Sequence, residues 1–223
     1  MSAYPVGMQP TIVHVCRHGQ VENPDHVLYG RAPGYGLSAL GQQMAERLGE
    51  HFAEVPLDRL YVSPLQRAQE TLAPIAARHP QLTITVEPRV TEAANVFEGR
   101  TFGRYNQKLL NPANWWHFRN PSRPSWGEPY RELAARMRAA LADMAASVPP
   151  GGQALVVAHQ LPIYVARLDA EGRSLVHNPA NRQCRLASVT SFHFVDGRVV
   201  KVEYAEPAAD LYPANQKLFR PGM

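Results

Sequence analysis

Short apolar segments alternate with longer amphipathic ones along most of the chain, and this alternation constrains the fold more than any other feature. Four segments have the length and apolar pattern of buried strands: 11–16, 57–62, 82–86 and 153–158. Four others carry apolar residues at helical spacing: 39–53, 64–78, 128–147 and 160–170. Strands that alternate with helices favour a parallel sheet covered on both faces. We therefore expect an α/β fold, a three-layer α/β/α sandwich with a mostly parallel sheet.

The last two predicted strands indicate a hairpin. Residues 186–195 and 198–204 flank Asp196-Gly197, a dipeptide that favours the tight turn between antiparallel strands. One strand of the sheet is therefore expected to run antiparallel to the others.

The sequence also indicates where two helices begin. Ser38 is a good N-cap, and Pro64 suits a first helical turn.

Length and composition predict one domain over residues 1–223, with its core at about 11–204. Hydrophobic residues make up 45% and charged residues 19% of the chain, which argues against wholesale disorder. The stretch 95–130 holds all three Trp residues, and we expect an irregular or partly helical insertion there. This insertion is either a lid or pocket wall, or a satellite hydrophobic cluster. The tail after Pro207 is expected to be loosely ordered.

Charge and apolar content exclude two classes of partner. No apolar run approaches the ~18–20 residues that span a bilayer, and the first ten residues lack the layout of a secretory signal. The lack of such a run argues against a membrane as a partner. The net charge is only +4 and there is no basic run, so a nucleic acid is not expected as a partner either.

Cysteine content bears on the cell compartment. Two cysteines supply neither a disulfide framework nor a four-cysteine zinc site. We expect a cytoplasmic protein, and the sequence leaves a homodimer open.

Three polar clusters follow predicted strands directly, at the point where each strand ends. In chain order they are Arg17-His18-Gly19, Ser63-Pro64 with Arg67, and His159. Because ligands of open α/β sheets bind at the carboxyl ends of the strands, we expect these side chains to converge. Guanidinium groups can fork onto phosphate oxygens, and an imidazole can attack phosphorus. The sequence therefore predicts a site for a phosphate dianion.

The same residues resemble the signature of the histidine phosphatase superfamily, also called phosphoglycerate mutase-like. Arg17-His18-Gly19 matches its first motif, and residues 63–71 match Ser-Pro-Leu-x-Arg-Ala-x-x-Thr. Further similar segments follow in family order: Leu37-Ser38-Ala39-Leu40-Gly41, Thr91-Glu92, Phe97-Glu98-Gly99, Gly127-Glu128 ahead of Arg136, and Val156-Val157-Ala158-His159. The resemblance runs from about residue 11 to 195 and implies a phosphoglycerate mutase-like fold.

The resemblance also implies a mechanism and a role for each site residue. His18 would attack the phosphoryl group of a small phosphorylated substrate and form a phosphohistidine. Arg17, Arg67 and His159 would hold the phosphoryl oxygens. Glu92 would protonate the leaving alcohol and then deprotonate the water that hydrolyses the intermediate. Neither a metal ion nor a cofactor is expected, because protein cations supply the positive charge that Mg²⁺ would otherwise supply.

Three further assignments have alternatives. Glu98 is the second candidate for the acid, six residues after Glu92. Asn23 lies one residue closer to His18 than the phosphate-contacting Asn of many family members, so it is a candidate if the loop is tighter here. Gln160 stands where Gly is common, and it either contacts the substrate or caps the following helix.

Two other reactive residue types near the first motif are interpreted as structural. A cysteine phosphatase needs Cys-x5-Arg, but the sixth residue after Cys16 is Glu22, so Cys16 is interpreted as a buried strand residue. In an extended chain His14 and His18 would share a face but lie roughly 13 Å apart, which is too far to bind one metal ion, so His14 is interpreted as structural.

These observations give three hypotheses about function. The first is a metal-independent phosphomonoesterase that hydrolyses a small phosphorylated metabolite. The second is a cofactor-dependent phosphoglycerate mutase; similar mutases carry Arg-His-Tyr after the acid, whereas Ala93-Ala94-Asn95 follows Glu92 here. The third is a non-catalytic member that binds a phosphorylated ligand, which the presence of both histidines and both arginines disfavours.

Overall fold

Six strands form one mixed sheet and four helices pack against it within the computed structural model, which describes residues 9–95, 98–99 and 127–212. In chain order the strands are β1 Thr11–Arg17, β2 Arg59–Val62, β3 Ile84–Val86, β4 Gln153–Ala158, β5 Val189–Val195 and β6 Arg198–Ala205. The helices are α1 Ala39–Phe52, α2 Gln66–Arg78, α3 Tyr130–Ala146 and α4 Gln160–Ala170. Across the sheet the strand order is β3-β2-β4-β1-β5-β6, which places β4 and β1 at its centre.

Strand direction confirms the expectation of a mostly parallel sheet with one antiparallel strand. β1 and β2 run parallel to β4, and β3 runs parallel to β2. β5 runs antiparallel to β1, and β6 reverses direction again in a hairpin with β5. At the turn, Asp196 and Gly197 have φ angles of 49° and 73°. These left-handed angles at both central residues are what a two-residue hairpin turn of this kind requires.

Each face of the sheet carries its own hydrophobic cluster, as expected for a three-layer sandwich. Side chains alternate along β1, so Val13 and Val15 lie on one face and Cys16 lies on the other. Val13 and Val15 belong to the cluster that contains Met137 of α3. Cys16 belongs to the cluster that contains Met44 of α1. All five side chains are fully buried, so the helices of both layers are fixed to the sheet by apolar packing.

Element boundaries differ from the prediction where a proline stands near a helix start. Pro64 was expected in the first turn of a helix, but Leu65 is the N-cap and α2 begins at Gln66. Proline keeps the residue before it extended, and Ser63 continues the strand direction, its backbone N donating to the Val157 carbonyl oxygen at 3.0 Å. In the same way Pro129 is the N-cap of α3, so this helix starts two residues later than predicted.

The chain beyond β6 is better packed than expected as far as residue 212. Ala208 is fully buried, and the Tyr212 hydroxyl donates to the carbonyl oxygen of Leu186 at 2.6 Å. The expectation of a loosely ordered tail is therefore wrong for residues 208–212. Most of the aromatic insertion, and residues 213–223, lie outside the described residues. In the described part of the chain, no helix has both the length and the apolar content needed to cross a bilayer.

Candidate active site

The carboxyl ends of β1, β2 and β4 bring the predicted phosphate-binding side chains together. Arg17 is the last residue of β1 and pairs with Ala158 at the end of β4, so His18 and His159 follow from adjacent positions. The ring centroids of these two histidines are 5.2 Å apart. Arg67 comes from the first turn of α2, which follows β2. These two arginines and two histidines are at most 4% exposed, so the cluster is buried.

His18 has a defined tautomer. Its Nδ1 lies 2.8 Å from the carbonyl oxygen of Gly19, which accepts hydrogen bonds only, so Nδ1 carries the hydrogen. The lone pair is therefore on Nε2. Burial lowers the pKa of His18 well below 6.5, and the charges of Arg67 and Arg17 lower it further. The imidazole is consequently neutral near pH 7, which is the form that can act as a nucleophile.

Close backbone contacts explain the glycines around His18. A Cβ on Gly19 would overlap the carbonyl oxygen of Gly41, and one on Gly41 would overlap that of Gln20. The N-terminus of α1 can therefore lie directly beside the loop after β1, and Ser38 caps that helix through the Gly41 N–H. The backbone N–H of Gly19 also donates to the hydroxyl of Thr71 at 3.1 Å, which ties the loop to α2.

Both arginines are held by backbone carbonyl groups. Arg17 Nη1 donates to the carbonyl oxygen of Cys184 at 2.8 Å, and Arg67 Nη2 donates to that of Gly30 at 2.7 Å. The Arg67 guanidinium also lies 4.7 Å from the ring centroid of Tyr29. Burial lowers the pKa of Arg67, which nevertheless stays charged because its ordinary value is so high. The two cations are thus fixed in orientation before any ligand binds.

Two buried nitrogen atoms of the cluster have no hydrogen-bond partner among the described residues: Nε of Arg67 and Nδ1 of His159. His159 uses its other nitrogen, Nε2, which lies 2.7 Å from the Ser63 hydroxyl. Burial, followed by the charge of Arg67, lowers the pKa of His159 well below 6.5. An unsatisfied buried polar group costs about 1–3 kcal/mol. Two such atoms in one cluster of cations are well suited to an anion with several oxygen acceptors.

The two candidate acids are both half-buried. Glu92 Oε1 accepts from the backbone N–H of Ala93 at 2.9 Å. The Glu98 carboxylate lies against Gly30, where a Cβ would overlap it. Both carboxylates stabilise the charge of Arg67, and the contribution of Glu92 is the larger. Both therefore interact with Arg67, and the choice of Glu92 as the acid stays a prediction.

The two further predicted contacts have backbone partners. Asn23 binds the backbone of Val27 twice, accepting at 3.0 Å and donating at 2.9 Å, which closes the loop after His18. Gln160 lies in the first turn of α4 and donates to the Cys184 carbonyl oxygen at 3.3 Å. That carbonyl group also holds Arg17, so Gln160 lies beside the cluster. Contact of either residue with substrate stays a prediction.

The sequence analysis missed Arg182. This residue is buried, and its Nε donates to Nε2 of His177 at 2.8 Å. Burial lowers the pKa of Arg182, whereas Tyr130 and the Glu92 carboxylate act in the opposite direction. A further cation therefore lies close to the candidate acid. Arg182 follows a short 3₁₀ helix at Pro179–Asn181, far from any strand end, so no periodicity or motif marked it.

The residues interpreted as structural have structural surroundings. Cys16 is fully buried, and burial raises the pKa of its thiol. Both ring nitrogens of His14 are engaged at 2.8 Å, one with the Ser191 hydroxyl and one with the Gln153 side-chain oxygen. In the described ranges, no group of three His, Cys, Asp or Glu side chains has the arrangement of a metal site.

Comparison with known proteins identifies the family. The family model for the histidine phosphatase superfamily (branch 1) matches residues 13–207, and the chain belongs to this superfamily. An uncharacterized protein of Mycobacterium tuberculosis (strain H37Rv) is 47% identical over 201 residues, which are 90% of this chain and 98% of that protein.

Solved structures similar to this chain include a phosphatase and a mutase. Mycobacterial glucosyl-3-phosphoglycerate phosphatase has a TM-score of 0.70 at 22% identity, over 88% of this chain and 96% of that one. Phosphoglycerate mutase from Bacillus anthracis has a TM-score of 0.68 at 21% identity, over 92% and 96%. The expected phosphoglycerate mutase-like fold is confirmed, and the family supports an enzyme of phosphoryl transfer.

Proposed function

We propose that the protein is a metal-independent phosphomonoesterase, which passes the phosphoryl group of a small phosphorylated metabolite to His18 and then to water. The observation that carries this proposal is the tautomer of His18 in its setting. Nε2 keeps its lone pair because Nδ1 donates to the Gly19 carbonyl group, and two buried arginines lie beside it. A neutral nucleophile next to fixed cations suits attack on a phosphate dianion.

In the first step Nε2 of His18 forms a bond to phosphorus while the ester bond to the alcohol oxygen breaks. The imidazole becomes positively charged, and its Nδ1–H bond to the Gly19 carbonyl group stabilises that charge. Arg17 and Arg67 bind the phosphoryl oxygens, on which negative charge accumulates. Glu92 donates its proton to the departing oxygen, so that an alcohol leaves instead of an alkoxide.

His159 acts in this proposal as a neutral hydrogen-bond donor. The Ser63 hydroxyl oxygen accepts from the Leu65 backbone N–H at 3.4 Å, so its hydrogen is free to point at Nε2 of His159. The proton of the neutral ring then resides on Nδ1, the atom without a partner among the described residues. That proton binds a phosphoryl oxygen, which removes the cost of an unsatisfied buried donor.

In the second step water takes the position that the alcohol has left. The Glu92 carboxylate accepts a proton from this water as the oxygen attacks phosphorus. The bond between phosphorus and Nε2 breaks, its electron pair returns to His18, and inorganic phosphate departs. Each group ends in its starting protonation state, so the cycle closes without another reactant.

A phosphoglycerate mutase is the second candidate, and Arg182 is the observation that favours it. A mutase binds a carboxylate and a second phosphate, which calls for additional cations near the acid, and Arg182 is a buried cation close to Glu92. The residues that follow the acid favour the phosphatase instead, because Ala93 and Ala94 carry no polar side chain.

Parallel assays separate these functions. Phosphate release is measured with a panel of sugar phosphates, phosphoglycerates, nucleotides and an aryl phosphate, with His18→Ala as control. Interconversion of phosphoglycerates is measured with added bisphosphoglycerate. We expect hydrolysis of at least one monoester by the wild type, none by His18→Ala, and slow or no interconversion. Efficient interconversion would overturn the phosphatase in favour of the mutase, and ligand binding without turnover would favour a non-catalytic protein.

A further inference from the structure

Glu128 joins two arginines that hold the backbone on both sides of the candidate acid Glu92. The carboxylate of Glu128 accepts hydrogen bonds from Arg136 and from Arg31. Each arginine also donates to a carbonyl group of the Thr91-Glu92 segment. We call Arg31, Glu128 and Arg136 the acid clamp. None of these three residues had a role in the predicted chemistry.

The Arg136 side of the clamp is the more buried. Nε and Nη2 of Arg136 fork onto the two carboxylate oxygens of Glu128 at 2.6 and 2.9 Å. Nη2 also donates to the carbonyl oxygen of Thr91 at 2.8 Å, and Nη1 donates to that of Arg89. Arg136 lies on α3, which packs in the core, so this side connects the acid segment to a rigid helix.

The Arg31 side connects the acid segment to the phosphate-binding residues. Nε of Arg31 donates to the carbonyl oxygen of Glu92 at 2.6 Å, and Nη2 contacts Glu128 at 3.3 Å. The preceding residue, Gly30, accepts from Arg67 through its own carbonyl oxygen at 2.7 Å. Two consecutive residues, Gly30 and Arg31, thus contact Arg67 and the backbone of Glu92.

The acid segment needs such support because it belongs to no helix or strand. A short 3₁₀ helix ends at Val90, and farther along the segment Asn95 forms an isolated bridge with Gly127. The Glu128 backbone N–H also donates to the Ala94 carbonyl oxygen at 3.1 Å. The carbonyl groups of Thr91, Glu92 and Ala94 thus all accept hydrogen bonds from the clamp residues.

We propose that the acid clamp positions the Glu92 carboxyl group over the leaving oxygen and sets its distance from Arg67. The clamp residues are positioning residues, since their contacts are with the backbone of the acid segment. This assignment rests on the proposed phosphatase function and on Glu92 as its acid. It predicts that damage to the clamp impairs phosphoryl transfer from alkyl esters, which need a proton from Glu92, and leaves phosphoryl transfer from aryl esters to His18 intact.

Arg31→Lys is the most informative variant. Lysine keeps the charge, but its single ammonium group does not reproduce the fork that reaches both Glu92 and Glu128. The matched control is Arg138→Lys, because Arg138 also forks onto one carboxylate, that of Asp169, but on the exposed surface of α3. Glu128→Gln is the second variant, and it removes the charge that both arginines share.

The readout is kcat/KM for p-nitrophenyl phosphate, whose leaving group needs no proton, and for the best alkyl phosphate of the panel. This ratio reports the steps up to phosphoryl transfer to His18, whereas kcat also contains the hydrolysis of the phosphohistidine, in which Glu92 acts as base for either ester. For Arg31→Lys and Glu128→Gln we expect kcat/KM for the alkyl ester to fall about 10- to 100-fold, as for a catalytic group displaced by about 1 Å. The kcat/KM for p-nitrophenyl phosphate should stay near the wild-type value, as should all constants of Arg138→Lys. Retained turnover of the aryl ester also demonstrates that the variants are folded.

Two results would overturn this assignment while the phosphatase function stands. One is an equal loss of kcat/KM on both esters, which would make the clamp a general structural element. The other is wild-type kcat/KM on the alkyl ester in both variants. A wild-type protein that hydrolyses no ester would instead refute the proposed function, and the clamp assignment with it.

Discussion

The phosphoryl side and the acid side of the site are built in different ways. On the phosphoryl side Arg17, His18 and His159 stand at the ends of central strands, and all are almost fully buried. On the acid side Glu92 and Glu98 are half-buried and belong to no helix or strand. Paired strands therefore fix the first group, whereas side chains from other parts of the chain fix the second.

This difference indicates which part of the site can change without disturbing the sheet. Residues that end or directly follow the central strands are placed by the sheet itself. An irregular segment held by side chains can change its shape at little cost to the core. In the proposed mechanism the leaving oxygen lies beside Glu92, so substrate choice is expected to depend on the acid segment and on Arg182, whose charge interacts with Glu92.

The largest expected effect is on the acid side. Glu92→Gln removes the proton donor, so kcat/KM for alkyl phosphates should fall about 100- to 10,000-fold. The kcat/KM for p-nitrophenyl phosphate should fall far less, because its leaving group departs without a proton and this ratio does not contain the later hydrolysis of the phosphohistidine. The control is Glu98→Gln, which removes the other carboxylate near Arg67. An equal loss of kcat/KM on both esters in Glu92→Gln would exclude Glu92 as the acid, and the expected pattern in Glu98→Gln would assign the acid to Glu98.

The next effect belongs to the phosphoryl side. Arg67→Lys keeps a charge but loses the planar fork that binds the phosphoryl oxygens and the Gly30 carbonyl group. We expect a loss of about 100- to 1000-fold, equal for alkyl and aryl esters. Arg78→Lys, at the other end of the same helix, should change neither rate. A loss confined to alkyl esters would show that the two sides are not separate.

The smallest effect is on stability, and it follows from the lowered pKa values of His18 and His159. Each binds a proton near pH 6.5 in the unfolded chain but stays neutral in the fold. The unfolded state therefore binds more protons below this pH, and the free energy of unfolding falls there while it is at its full value above. Each unit by which folding lowers a pKa corresponds to about 1.4 kcal/mol in the free energy of unfolding.

Urea unfolding at about pH 7.5 and pH 5.5 measures this decrease. His159→Gln removes one of the two groups, so its free energy of unfolding should decrease less between the two pH values than that of the wild type. His26→Asn replaces an exposed histidine and should behave as the wild type does. The same decrease in all three proteins would contradict a neutral, buried His159.

Sequence patterns predicted the phosphoryl side well because that side depends on local signals. The strand 153–158 has the predicted bounds, and the turn at Asp196-Gly197 has the predicted form. A residue that follows a strand directly is placed by the strand, so Arg17, His18 and His159 could be expected to meet. Arg67 was expected there as well, because it follows the second predicted strand closely, in the first turn of α2.

The acid side was less predictable because its contacts join distant parts of the chain. Arg31 and Glu92 are 61 residues apart, and Arg136 reaches Thr91 across 45. Every residue has a backbone carbonyl group, so the type of the accepting residue gives no sign that an arginine binds it. Arg182 gave no signal either, because it follows a short 3₁₀ helix and not a predicted strand. The packing of Tyr212 against Leu186 is also a long-range contact, which the composition of the tail did not indicate.

The central claim is that His18 carries the phosphoryl group during turnover, and trapping this intermediate tests it most directly. Wild-type protein is mixed briefly with a radiolabelled substrate from the panel, quenched and digested. The account predicts a label that is labile in acid, stable in base, located on the peptide that contains His18 and absent from His18→Ala. Label that persists in His18→Ala, or turnover that requires added Mg²⁺ and is lost with a chelator, would contradict it.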